Sequence, residues 1–201
     1  DELPLAEADK VPGSGILGEF SPGVRLRLRD LVHLMIVVSD NTATNLILDR
    51  FPPAAINARL ASFGLAETRS LRKVLGGSRR APAGDRYGIG VTTAREMVLL
   101  LEKLHRGQIV SPAASAEMIE ILKRQQYKDG IGRKLRQHPV ASKSGTLDRL
   151  RSDAGLVFTP GGPIALAITV DDLPATDYSP DNRGLLLIAE LARLVVEGLA
   201  K

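Results

Sequence analysis

Two short clusters in this chain carry the residue types that serine-based acyl transfer needs. They are Ser39-Asp40-Asn41 and Lys143-Ser144-Gly145, the second followed by Thr146. Acyl transfer by a serine requires a hydroxyl nucleophile, a base for its proton, a relay to the leaving nitrogen and donors for the developing oxyanion. A positive charge on Lys143 beside the Ser39 hydroxyl favours loss of its proton and lets Ser39 shuttle one. Asn41 offers an amide that can orient a substrate amide. The Ser144 and Thr146 hydroxyls suit a substrate carboxylate. Gly145 lets backbone approach closely, and the Thr146 N–H, on a strand edge, suits an oxyanion. Alone, the first cluster reads as a helix-capping turn and the second as a strand end. Their order and their placement on elements favour the catalytic reading of the pair. The attacking group is what they lack. Ser70-Leu71-Arg72-Lys73 matches Ser-x-x-Lys by letter, but it follows Ser-Asp-Asn and runs straight into Gly76-Gly77, so no long buried helix continues from it.

The elements that must position these groups are legible from periodicity. Leu28, Leu31, Leu34, Met35 and Val38 follow helical spacing. Asp40 is placed to cap a second helix through Leu48, which sets the tripeptide on a junction between two helices. A third helix is expected to reach about Phe63 and end at Gly64 in a left-handed cap. Residues 66–91, with Gly76, Gly77, Pro82, Gly84, Gly88 and Gly90, read as a long surface loop. Thr93 and Glu96 predict a capping box for a helix through Leu104. Ser111-Pro112 predicts another helix start. Three strands should follow: a short one over 140–143, then 154–159 and 164–170 around the Pro160-Gly161-Gly162-Pro163 hairpin signal. The last strand is apolar at nearly every position, so both of its faces should be buried. A helix from about Pro180 to Gly198 closes the chain.

Composition bounds the rest. The 201 residues suit one domain with two lobes. The 27 basic and 23 acidic residues give a mild excess, grouped at Arg25/Arg27/Arg29, Arg79/Arg80 and Arg133/Lys134/Arg136, which reads as solvated surface. Aromatic residues are scarce and do not alternate with these charges, so nucleic acid is not an expected partner. No apolar run reaches the ~18 residues of a membrane span. Cysteine is absent, which excludes disulfides and thiolate metal sites. His33, His105 and His138 read as structural or solvated, and no metal or organic cofactor is implied. The chain opens on Asp1 without a signal-peptide pattern. An upstream segment, removed or lying outside these residues, is expected.

The stretch Leu28 to Asn45, with Val38-Ser39-Asp40-Asn41-Thr42-Ala43-Thr44-Asn45, resembles the helix pair of class A β-lactamases, members of the penicillin-recognising serine hydrolases. Gly13 to Phe20 and Ser21-Pro22-Gly23 resemble the loop before it. Ala141 to Thr146 resembles that family's third-strand motif, Ser152 to Val157 its fourth strand, and Asp181-Asn182-Arg183 the start of its last helix. The resemblance implies an α/β (α+β) fold of the β-lactamase/D,D-peptidase type, an antiparallel sheet packed with helices beside an all-helical lobe. The helical lobe would span about 25–138, and 139–201 would supply the sheet hairpin and terminal helix. It implies hydrolysis of β-lactam amides through an acyl-serine, hence antibiotic resistance, and a periplasmic or secreted location. Ser39 would be the proton relay and Lys143 its cation. Asn41 would bind substrate, Ser144, Gly145 and Thr146 would line the acyl site, and Arg151 would help hold the substrate carboxylate. The partner is a β-lactam or peptidoglycan-like small molecule, with a missing N-terminal segment bringing the Ser-x-x-Lys nucleophile and two strands that cover the 164–170 edge.

The chain departs from this pattern in the 66–91 loop. The Glu-x-x-Leu-Asn that activates the deacylating water is not there, and Glu67 and Asp85 are the loop's only carboxylates. A D,D-peptidase-like or esterase activity with slow deacylation, and a non-catalytic penicillin- or peptidoglycan-binding module, therefore stand beside the β-lactamase reading.

Overall fold

The computed structural model describes residues 1–75 and 87–200, and these fall into two compact units, Asp1–Thr93 and Ala94–Lys201. The expected loop glycines Gly76, Gly77 and Gly84, with Pro82, Arg79, Arg80 and Asp85, lie outside the described residues.

In the first unit β1 (Glu2–Pro4) pairs antiparallel with β2 (Arg25–Arg27). Helices α1 (Leu28–Val37), α2 (Asn41–Arg50) and α3 (Pro53–Ser62) follow. The apolar stripe of α1 and α2 buries Leu31, Ala43, Leu46 and Ile47 against Leu5 and Leu17. Each such leucine removed from water contributes roughly 1.5–3 kcal/mol. Pro53 opens α3 at its first turn, where the missing N–H costs nothing. Gly64 takes φ +81 after it, the left-handed cap that the sequence predicted.

The chain beyond α3 is held by two asparagines that mimic a strand partner. Asn57 accepts from Ser70 N–H at 2.8 Å and donates to Ser70 C=O at 2.9 Å. Asn45, on α2 and buried, does the same to Val74 at 2.9 Å each way. A two-residue strand β3 (Arg69–Ser70) pairs with β4 (Gly90–Val91), which pins both ends of the 66–91 segment.

The second unit begins with α4 (Ala94–His105) and α5 (Pro112–Lys123). The Ser111 hydroxyl caps α5, accepting from Ala114 N–H at 3.1 Å. An antiparallel sheet in the order β5 (Val140–Leu147), β6 (Leu150–Thr159), β7 (Gly162–Val170) is followed by α6 (Arg183–Leu199). Alternation along β6 sends its side chains to two cores. Leu156 packs with Ala141 and Leu101 in one. Val157 packs with Ile131, Leu135, Ile188, Ala192 and Val196 in the other. The sheet thus lies between α4 and α5 on one face and α6 with a 3-10 turn (Ile131–Lys134) on the other. The mixed α/β class with an antiparallel sheet is as expected. Strand β5 runs four residues past the expected end, because Leu147 pairs with Leu150 across the tight turn Asp148-Arg149. Lys143-Ser144-Gly145-Thr146 therefore sits inside the ladder.

Replacing Asn45 by Ala strands both backbone groups of Val74. Denaturant unfolding followed by circular dichroism should register a loss of about 2 kcal/mol. A change under about 0.5 kcal/mol would mean that the clamp is not a structural element.

Candidate active site

The Ser39-Asp40-Asn41 turn is built around one carboxylate. Asp40 is fully buried. Its Oδ1 accepts from Ala43 N–H at 2.8 Å and so caps α2. Its Oδ2 accepts from Ile16 N–H at 2.7 Å and Leu17 N–H at 2.8 Å. A Cβ on Gly15 would collide with that carboxylate, so the loop needs glycine there. Asn41 is tied to the same loop: its N–H donates to Ser14 C=O at 2.9 Å and its Nδ2 to Pro12 C=O at 2.9 Å.

Ser39 has φ +51. The Asp40 N–H reaches back six residues to Leu34 C=O at 3.2 Å and closes the end of α1, where Ser39 takes the left-handed cap position. Glycine usually fills the left-handed position of that cap, and a serine there costs roughly 1–2 kcal/mol. Strain held by a buried network at a hydroxyl-bearing residue is a mark of function.

Ser70-Leu71-Arg72-Lys73 is not the head of a helix. Ser70 ends β3 with its backbone clamped by Asn57, and Lys73 pairs with Asp49 of α2.

In the second unit β5 is an edge strand of the sheet, so one side of its backbone is turned away from β6. Lys143 is half-buried on it, and its Nζ donates to Ser144 C=O at 2.7 Å. Burial brings its pKa down from 10.5 to about 8, against the attraction of the Asp153 charge. The lysine thus stays cationic at neutral pH yet can release its proton within reach of it. Ser144 opposes Asp153, Gly145 opposes Ser152, and Thr146 opposes Arg151. Any Cβ at Gly145 would strike the Ser152 hydroxyl.

Arg151 occupies a different environment from Thr146, which is exposed. It is buried, and its guanidinium donates to the carbonyls of Leu147, Leu150 (2.6 Å) and Asp177. These bonds join the β5–β6 turn to the segment before α6. A cavity of about 610 Å³ in the same unit is lined by Lys128, Arg133, Arg136, His138 and Ser142 among others, and none of Lys143, Ser144, Gly145 or Thr146 borders it. Among the described residues no acidic or histidine cluster could hold a metal ion.

Two buried polar residues that the motifs do not include, Asp153 and Asn45, also hold the architecture. A carboxylate directly before the run Ala154 to Phe158 was the one sequence signal for the first.

The model of a family described as "Beta-lactamase enzyme family" matches residues 1–199. Among solved structures, a beta-lactamase from Sphaerobacter thermophilus is similar at 31% identity and a TM-score of 0.87, over 98% of this chain and 73% of that one. A PBP-A mutant, described as an acyl-enzyme complex with penicillin G, is similar at 26% identity and a TM-score of 0.81, over 98% and 71%. A beta-lactamase from Chitinophaga pinensis shares 19% identity and the fold, with a TM-score of 0.79 over 98% and 75%. Among curated proteins none matches.

Replacing Ser39 by Gly relieves the left-handed backbone and should raise stability by about 1 kcal/mol, whereas Ser39→Ala should bring no gain. Thermal and denaturant melts of the two variants check this. Equal stabilities would mean that Ser39 carries no strain.

Proposed function

Because the chain belongs to the beta-lactamase enzyme family, we propose that it is the larger part of a serine hydrolase that opens β-lactam amides through an acyl-serine. In this reading a serine supplied by residues outside these 201 attacks the lactam carbonyl. The C–N bond breaks, the nitrogen takes up a proton, and water then hydrolyses the ester and returns the serine its proton. Ser39 is the relay to the nitrogen, and Lys143 supplies the positive charge that favours its transient deprotonation. Asn41 orients the substrate amide, while Ser144, Gly145 and Thr146 line the acyl site. Arg151, with its donors occupied by backbone carbonyls, acts by fixing the β5–β6 turn rather than by touching the substrate.

The observation that carries this reading is Lys143, a desolvated lysine on an edge strand, with Ser144 and Thr146 hydroxyls beside it and a glycine between them against which the Ser152 hydroxyl packs closely. The same chemistry belongs outside the cytoplasm, where β-lactams meet cell-wall enzymes. No helix among the described residues is long and apolar enough to cross a membrane. A second reading is favoured by the 66–91 sequence, which lacks Glu-x-x-Leu-Asn. Without that base the acyl-enzyme would form and persist, as in a D,D-peptidase-like enzyme.

A fluorescent penicillin added to the complete gene product separates these outcomes. Label that appears and is lost within minutes supports the β-lactamase reading. Label that persists supports the peptidase-like one, and no label at all overturns both in favour of a binding module. Lys143→Ala should slow labelling by roughly 10²-fold or more. The intact mass of that gene product should exceed the mass of the 201 residues, and an equal mass would remove the source of the nucleophile.

A further inference from the structure

We propose that the cavity of about 610 Å³ beside the start of β5 binds a small organic phosphate, a phosphomonoester whose dianion meets Arg136 and Lys128 while its carbon body lies on Pro139, Val140 and Pro180.

The sequence groups Arg133, Lys134 and Arg136 as one solvated patch, and the structure divides it. Lys134 turns to α6 and pairs with Glu190 at 2.5 Å. Arg133 and Arg136 line the cavity instead. Lys123 at the end of α5, Lys128 and His138 line it with them, against the carboxylates of Asp129 and Asp181. Positive charge therefore collects in a recess, where low-dielectric walls focus its field on an anion more strongly than a flat surface would.

Part of this charge builds the recess. Arg133 donates to Pro180 C=O at 2.6 Å and pairs with Asp181 at 2.6 Å, which ties the 3-10 turn to the segment before α6 and fixes one wall. Ile131 and Leu135, in and after that turn, are fully buried in the core under α6, so the wall is held from behind. Lys123 pairs with Glu120, and its ammonium stands 4.8 Å from the centroid of the Phe158 ring. The rest of the charge is left for a ligand. Among the described residues, no hydrogen bond or ion pair engages the side chains of Lys128, Arg136 or His138, and Asp129 stands outside any ion pair too. The sheet adds backbone donors. The Phe158 N–H donates to Pro139 C=O at 3.0 Å, so the alternation of an antiparallel pair turns the N–H groups of Val140 and Ser142 away from β6. They emerge on the open edge of β5, at the two residues of that strand that line the cavity.

These features select the ligand. The volume falls within the roughly 300–1,000 Å³ of small-molecule sites. Asp129 repels any anion, so a single negative charge gains little here. A phosphomonoester carries roughly −1.5 to −2 charges at pH 7, and its oxygens match the fork of an arginine. Pro139, Val140 and Pro180 offer apolar surface that a bare phosphate leaves unused.

Phenyl phosphate titrated into the complete gene product, followed by calorimetry and by amide NMR, tests this. It should saturate with a Kd of about 1 mM or tighter. It should bind more tightly than inorganic phosphate, and it should move the amide signals of the cavity's lining residues. Lys128 and Arg136 are exposed, so truncating either leaves the core intact. Arg136→Ala and Lys128→Ala should each weaken binding by about fivefold or more. Lys134→Ala, a neighbour in sequence that is turned to Glu190, should change it by less than about twofold. Binding that does not saturate, or an affinity no higher than that of inorganic phosphate, overturns the proposal. So does a loss in Lys134→Ala equal to that in Arg136→Ala, since the attraction would then be diffuse. Penicillin labelling enters none of these readouts, so the outcome is independent of the acyl-transfer reading.

Discussion

The Asp40 carboxylate is the interaction on which the first unit depends. Three backbone N–H groups converge on it, two from the loop at Ile16 and Leu17 and one from the first turn of α2. Hydrogen bonds to an ionised acceptor contribute about 1.5–3 kcal/mol each. That sum exceeds the roughly 1–2 kcal/mol of a left-handed serine. The network therefore outweighs the strain at Ser39, fixes the junction between α1 and α2, and presents Ser39 and Asn41 from a turn that cannot relax into a plain helix end. The buried leucines beneath it stabilise the unit, but the carboxylate decides which conformation the turn adopts.

The second unit meets a different constraint. A sheet covered on both faces has to place charged groups among apolar ones, and it does so in two ways. Arg151 turns its guanidinium to carbonyls at the strand end, so its charge closes a turn. At Asp153 and Lys143 burial instead moves the titrations, raising the carboxyl to about 6 and lowering the lysine to about 8. A lysine pKa near 8 is useful chemically because the cation persists at neutral pH and its proton is not held too tightly.

How much was legible follows from the range over which each feature is decided. Asp40 as an N-cap, Gly64 as a left-handed cap and Ser111 before Pro112 were readable because a cap is settled within about four residues. Strand β5 was read short because Asp148-Arg149 carries neither glycine nor proline to announce a turn, and only pairing with β6 extends the ladder to Leu147. The β1–β2 and β3–β4 pairs join segments that have no periodic pattern of their own. The Asn45 and Asn57 clamps reach 29 and 13 residues along the chain, beyond any local signal.

By itself the order of side chains determined the helices, the hairpin, the two motifs and the family they resemble, because periodicity, capping and residue chemistry are written locally. Folding in three dimensions decided what the charges do. Arg151 became a tie between backbone carbonyls, Asp40 the centre of a loop, and Asp153 the acceptor for the Ile131 N–H, because burial and the identity of the nearest donor set the behaviour of an ionisable group and both depend on residues distant in the chain.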